Sequence, residues 1–485
     1  MKYVFILSLI YITSLVIVQS TTIDFSNSGT GYTVSGNVVT ISSAGSYDLS
    51  GTVTDKNIVV SASCTLNLNS FSLTNSGSLT PILISSSQTV TMTLTGSSTL
   101  VDSSSNSNEG TIYLQSGASL TISGTGTLSI TPNKFMAING TDTTSLTVSG
   151  GPTINIQSSS TNAGGVYLRS AVTFNNAIFT YSCSSGENHA IDSEGTVKII
   201  KGTYTLTAGS GKGIQSENYL YIGEENGSDS DLTLTITTAN EGIEAKKIEI
   251  YSGTITIDAS EDGINAASSG SDCDETVQCS GNCACYLIYK GGSLTLTSGE
   301  DGIDVNGDIT ISGGEIVVFA ASSSEDQPID QDGLLSITGG TILAAGSSAM
   351  GGVSATTTQT AKTYTGTISS GAKLVASEKS GTEILSVTAP KAANFFYLNH
   401  NTDFTVTLDG TQLTLIDVSS GNSQGPPSGN FPGGPGSTDT SSSTTASTQT
   451  DDDDDDTDEP VIINTSNGYF LKGINIIFIF GLIFF

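Results

Sequence analysis

The 485-residue chain carries 46 acidic and only 15 basic side chains, for a net charge of −31. Such a surface repels nucleic-acid phosphates and attracts divalent cations, which excludes a nucleic-acid partner. Charged residues amount to 13% while Gly, Ser and Thr are abundant, a balance that favours a secreted, β-rich protein over a helical enzyme.

Residues 1–20 read as a secretory signal peptide: Lys2 opens it, Val4 to Val18 form the apolar stretch, and Val18-Gln19-Ser20 fits a small-residue cleavage site. Residues 21–420 form one compositional block. Its N-terminal half shows runs such as Ser119-Leu120-Thr121-Ile122-Ser123-Gly124, the alternation of a half-buried strand. Further on, a short motif returns every twenty-odd residues. It reads Lys212-Gly213-Ile214-Gln215, Glu241-Gly242-Ile243-Glu244, Asp262-Gly263-Ile264-Asn265 and Asp301-Gly302-Ile303-Asp304, with degenerate copies at His189-Ala190-Ile191-Asp192 and Gln327-Pro328-Ile329-Asp330. Strands recurring at a short fixed period, with no helix between them, predict a solenoid.

One period can be read in full. Lys246 to Ile250 is a strand, Tyr251-Ser252-Gly253 a turn, Thr254 to Asp258 a second strand, Ala259 to Gly263 a bend, and Ile264 opens a third strand. Three strands and three bends in about 21 residues predict an all-β fold, a parallel β-helix whose rungs stack at ~4.8 Å. A sandwich of antiparallel hairpins is the rival, since Ser-Gly-Gly turns also make hairpins. A sandwich does not, however, repeat one Gly-Ile pair at a constant phase.

The residue after each motif Ile forms a column: Asp192, Gln215, Glu244, Asn265, Asp304, Asp330. Glu241, Asp262 and Asp301 precede the Gly, and Glu261 and Glu300 stand one place earlier. Stacked carboxylates ~4.8 Å apart repel by about 3 to 4 kcal/mol at an effective dielectric near 20, a cost that a bridging cation removes. An all-oxygen set of Asp, Glu and Asn favours calcium, with Glu241, Glu244, Glu261, Asp262, Asn265, Glu300, Asp301, Asp304 and Asp330 as candidate ligands. The alternative is that Asp-Gly is simply a good turn and the acids face water.

The largest insertion, between Asn265 and Leu294, holds Cys273, Cys279, Cys283 and Cys285. Behind a signal peptide, the even total of six cysteines favours disulfides, so this segment is expected to be a stapled flap with its pairing left open. The absence of a nearby His argues against zinc. Sequons at Asn139 and Asn226 are candidate glycosylation sites.

Ile384 to Leu415, with Phe395-Phe396-Tyr397, is richer in aromatics and is expected to cap the solenoid. Residues 421–463 change to Gly, Pro, Ser, Thr and an Asp451 to Asp456 run, the composition of a disordered stalk. Residues 464–485 have small residues, with Asn464 and Ser466 as candidate attachment points, then an apolar tail from Ile474 to Phe485. That tail falls short of the about 20 residues of a spanning helix and has the layout of a GPI-attachment signal, which predicts a membrane partner through a lipid anchor at the cell surface.

Ser260-Glu261-Asp262-Gly263-Ile264-Asn265-Ala266 and Gly302-Ile303-Asp304-Val305-Asn306-Gly307-Asp308-Ile309-Thr310-Ile311-Ser312-Gly313-Gly314 resemble the bacterial calcium-binding β-helix carbohydrate-binding domains, which bind cellulose and pectic polymers and are similar in fold to pectate lyases. The resemblance is clearest from about Gly124 to Gly352. It implies calcium at Asp262, Asp301 and Asp304 first, and it departs at Lys212 and His189, where the pattern has an acid.

The expected function is non-catalytic binding of a cellulose-like or uronate-containing polysaccharide, with Tyr204, Tyr219, Tyr221 and Tyr251 as candidate sugar contacts. A structural adhesin or coat protein is one alternative. A calcium-dependent polysaccharide lyase is another; it needs a base near the metal, and Arg169, the one arginine, lies several rungs from the densest acids.

Overall fold

The computed structural model describes residues 20–418, apart from 76, 106–108, 159–161, 184–185, 187, 268–272, 274–283, 324–325 and 349–352. Two units are distinguished, Met1–Gly429 and Asn430–Phe485, and every described residue belongs to the first. Residues 1–19 of the signal peptide, the stalk, Asn464, Ser466, Cys279 and Cys283 lie outside the described residues.

The described chain is a parallel β-solenoid of about 11 turns. Each turn contributes to three parallel sheets. The first, here the motif sheet, contains Ile191–Ser193, Ile264–Ala266 and Ile303–Val305, and each motif Ile pairs with the next along Ile191, Ile214, Ile243, Ile264 and Ile303. All five side chains are buried, a continuous apolar stack that pins the register. Ile243–Ile250 bends from the motif sheet into the second sheet, where Lys247 pairs with Tyr286 and Glu249 with Ile288. Thr254–Ala259 and Ser293–Thr297 belong to the third sheet, with Thr256 over Thr295. The period read from the sequence therefore maps strand for strand onto one rung, and the pairing between rungs is parallel.

Glycine has a different task at each corner. Between the second and third sheets Gly253, Gly292, Gly314 and Gly340 stand in one column at φ of 116°, 94°, 80° and 94°, a backbone region that side chains disfavour. A Cβ on Gly292 would lie 2.8 Å from the Gly253 carbonyl oxygen, and one on Gly314 2.5 Å from that of Gly292. The motif glycines are instead a matter of space. A Cβ on Gly242 would collide with Ile257 and the Gly263 carbonyl, and one on Gly302 with Val318 and the Pro328 carbonyl. The Asp-Gly pairs thus mark a close approach of neighbouring rungs to the core, not a left-handed turn.

Both ends are closed. At the N-terminus Tyr32–Ser35 folds antiparallel onto Val38–Ile41, with Tyr32 and Tyr47 buried. At the other end Ala393–His400 runs antiparallel to both Leu335–Gly346 and Thr360–Ile368, and a four-stranded antiparallel sheet follows from Lys373–Glu378, Glu383–Thr388, Phe404–Leu408 and Thr411–Gln412. The cap therefore begins some twenty residues before the aromatic segment that signals it in the sequence. Its core gathers Val317, Phe319, Leu343 and Ala345 from the outer face of the third sheet with Phe396, Leu398 and Phe404. Outward positions that carry Thr on earlier rungs turn apolar where the cap covers them.

Gly292→Ala is expected to destabilise the fold by about 1–3 kcal/mol through the combined backbone strain and clash. Gly51→Ala, at φ 79° with nothing within 4 Å, should cost about 1 kcal/mol, its backbone strain alone. Urea unfolding of the two variants checks this; equal losses would contradict the stacked-glycine account.

Candidate functional site

The motif sheet aligns two polar columns. Backbone pairing carries Asp192, Gln215, Glu244, Asn265, Asp304 and Asp330 one above another on the outer face. The same column continues toward the N-terminus as Tyr167, Asn139 and Tyr113. The residues before each motif Gly form the second column, linked by Gly213 N–H to Glu241 O, Gly242 N–H to Asp262 O and Gly263 N–H to Asp301 O, at 3.0–3.1 Å. Glu261 and Glu300 lie apart at the preceding corner, where the Glu300 N–H donates to the Glu261 carbonyl at 3.2 Å.

Repulsion along the columns is offset in three ways. Lys212, at a position where the motif pattern has an acid, lies 3.4 Å from Glu241 Oε1 and also pairs with Glu244, all three side chains being no more than 20% exposed. Side chains also accept main-chain N–H groups of the next rung: His189 Nδ1 from Lys212 at 2.9 Å, Asp262 Oδ1 from Asp301 at 2.9 Å, and Asp301 from Gln327. Finally, protons are favoured. Burial, then neighbouring Asp262 and Asp301, push Asp304 up to about 8; burial and Asp301 push Asp262 to about 7; burial and Asp330 push Asp301 to about 6. Glu241 Oε2 and Asn265 Oδ1 are buried without a hydrogen-bond partner among the described residues. No three His, Cys, Asp or Glu among the described residues are gathered into a metal-ligating group.

The second sheet carries a different surface over the same rungs. Two outward columns run Thr196, Tyr219, Lys247, Tyr286 and Lys198, Tyr221, Glu249, Ile288. The Tyr219 and Tyr221 rings are parallel, with centroids 5.7 Å apart. Lys247 stands 4.6 Å from the Tyr219 ring, Lys198 5.3 Å from Tyr221 and Lys290 4.6 Å from Tyr251, so each ring bears an ammonium group. Glu249 accepts from the Tyr286 hydroxyl at 3.0 Å and from Tyr251. Lys198 and Lys247 have no ion-pair partner among the described residues, whereas Lys201 and Lys290 are paired with Glu224 and Glu225.

Tyr219, Tyr221 and Tyr251 thus share one surface, and Tyr204 does not. It occupies the inward position between Thr203 and Thr205, is fully buried against Phe174, and donates to the Lys201 carbonyl at 2.6 Å. The Thr-Tyr-Thr alternation contains that parity. Tyr286, Lys198 and Lys247 were missed, and counting outward parity through the paired strands finds them. Cys273 and Cys285 form a disulfide, while Cys64 is a buried thiol held up to about 11 by desolvation. Asn139 is 5% exposed and partnered, which corrects its reading as a glycan acceptor; Asn226 is exposed. Arg169 is held by Asp142 at 3.1 Å and Glu194 at 3.3 Å, beside Asp192 and several rungs from Asp262, Asp301 and Asp304.

This chain belongs to the family described as carbohydrate-binding domain-containing protein, whose family model matches residues 35–271 and 230–332, together more than half of the chain. The two matches overlap within the solenoid, as a repeating ladder allows, and both end before the cap. No curated protein and no solved structure matched.

Lys212→Met should cost about 2–3 kcal/mol by leaving two carboxylates unpaired, and adding Glu244→Gln should recover part of it. Chemical denaturation of both variants checks this. The pH dependence has a defined sign. Carboxyls raised from 3.8 stabilise the fold when protonated, so that contribution is full below 3.8 and is lost as pH rises through about 6 to 8. The metal-free protein should therefore melt lower at pH 8 than at pH 5, and calorimetry in chelator measures it.

Proposed function

We propose that this protein is a non-catalytic polysaccharide-binding protein of the cell surface, and that the outer face of the second sheet is its contact surface. The observation that carries the reading is the Tyr219, Tyr221, Tyr251 and Tyr286 platform interleaved with Lys198 and Lys247, neither ion-paired among the described residues although Lys247 donates to the Tyr219 hydroxyl at 3.0 Å, on a protein of net charge −31. The Tyr219 and Tyr221 hydroxyls and the ammonium groups offer donors to sugar oxygens and to uronate carboxylates, the Tyr251 and Tyr286 hydroxyls already being donated to Glu249, and the flat parallel face suits an extended chain. Family membership supports a carbohydrate partner. The basic groups nearest the motif acids are occupied, Lys212 by Glu241 and Glu244, which favours binding over elimination chemistry.

Calcium enters the proposal as a stabiliser of the acidic columns. Two buried oxygens without partners, Glu241 Oε2 and Asn265 Oδ1, and the raised carboxyls of Asp262, Asp301 and Asp304 fit a hard cation with oxygen ligands. Asp262, Asn265, Asp301 and Asp304 would hold it, with Glu241, Glu244 and Asp330 alongside. Its contribution there is neutralisation of stacked charge. The signal-peptide and GPI-attachment patterns of residues 1–20 and 464–485 support export and display from the membrane.

Retention on immobilised neutral and uronate-containing polysaccharides, with calcium and with chelator, tests the reading. Binding should fall at least tenfold in a Tyr219→Ala/Lys247→Met variant and weaken in chelator. Calcium should raise the melting temperature more at pH 8 than at pH 5. No retention on any glycan would return the protein to a structural, rod-displaying role; unsaturated products absorbing in the ultraviolet would make it a lyase.

A further inference from the structure

On the same outer face of the second sheet, near the N-terminal end, lies a groove of about 410 Å³ lined by Thr22, Asp48, Ser50, Asn67, Asn69, Thr93 and Thr95. Its floor is one outward column, since Asp48 pairs with Asn67 and Asn67 with Thr93. Ser50, Asn69 and Thr95 form the next column, with the same register. The floor is built in advance from residues of the mature chain: Asn67 Nδ2 donates to Asp48 Oδ1 at 2.7 Å and to Ser46 Oγ at 2.9 Å.

The lining decides the ligand class by elimination. No aromatic ring and no apolar wall is present, so an apolar guest gains nothing. No ammonium or guanidinium is present and Asp48 is, so an anion is repelled. What remains is a close array of hydroxyls, amides and one carboxylate, which together offer both donors and acceptors. That array matches a ligand whose own surface is a run of hydroxyl groups.

We propose that this groove is a second subsite, for neutral sugar units, and that one polysaccharide chain runs along the solenoid axis from it to the Tyr–Lys platform. The inference rests on the polysaccharide-binding reading above. Thr93 and Tyr219 or Tyr221 are five rungs apart, ~24 Å at ~4.8 Å per rung. In the column that leads to Tyr221, the outward residues of the three rungs after that of Thr93 are Thr121, Thr147 and Thr173, small side chains that leave this track flat as far as Lys198 of the platform. A single chain spanning both places makes the second contact intramolecular, so affinity should rise steeply with ligand length.

The test uses neutral oligosaccharides of graded length and the parent polymer, measured by calorimetry on the full folded domain. Asn69→Ala/Thr95→Val changes only exposed rim groups, and Asn67→Ala removes the donor at the floor; melting temperature confirms that each variant is folded. Both should weaken binding of the long polymer at least tenfold while leaving short oligosaccharides bound at the platform unchanged. Wild-type affinity of both variants for the polymer, with the platform variant Tyr219→Ala/Lys247→Met impaired, would overturn the second subsite and leave the platform reading intact. Loss of binding to every glycan by the unmodified protein would overturn both.

Discussion

Parallel, in-register stacking is the constraint on which everything else in this protein depends. Each rung hydrogen-bonds to the next through its main chain, so every side chain lies over its counterpart one repeat away, ~4.8 Å distant. For inward positions this is favourable: the column from Ile191 to Ile303 is an unbroken apolar stack with no exposed atoms to speak of. For outward acids the same geometry is unfavourable, because like charges are held at the spacing of the ladder. The chain meets that cost with a tethered ammonium at Lys212, with main-chain N–H donors at Asp262 and Asp301, and with carboxyls that hold protons. A bound cation would be a fourth device of the same kind.

The three sheets then divide the labour. The motif sheet concentrates negative charge, the second sheet presents Tyr and Lys over the same rungs, and the third carries Thr until the cap begins. Lys198 and Lys247 stand on the second face without ion-pair partners among the described residues, in a chain that has few cations to place. The motif face is acidic, whereas the adjacent face mixes Tyr and Lys with Glu249 and Asp308, so the two faces are chemically distinct.

Much of this was legible in the sequence, for a physical reason. Period and alternation are direct consequences of stacking and pleat, so the phase of Asp262, Asp301 and Asp304 named their column, and the strand at Thr254 fell where the alternation put it. What was not legible depended on contacts between columns. Tyr204 looked like its neighbours by type, yet its place between two outward threonines turns it into the core. Tyr286 and Lys247 come together only because the flap segment is skipped in the pairing, which no local window shows. The early start of the cap was hidden because Thr360–Ile368 has the composition of a solenoid strand; the apolar outward residues Val317 and Leu343 are the signal that something covers them. The motif glycine read as a turn former because Asp-Gly usually is one, whereas here the neighbouring rung leaves no space for a Cβ.

The claim that residues of equal phase are vertical neighbours is tested most directly by cross-linking on the third sheet. Thr256 pairs with Thr235 on one side and Thr295 on the other. Adjacent rungs place Cα atoms within the about 4.4–6.8 Å that a disulfide spans, and alternate rungs exceed it. Oxidation followed by peptide mapping should link Cys at 235 to Cys at 256 in a Thr235→Cys/Thr256→Cys variant and should fail in Thr235→Cys/Thr295→Cys. Efficient linking of the second pair, or none in the first, would contradict the stacked ladder and every surface assigned from it.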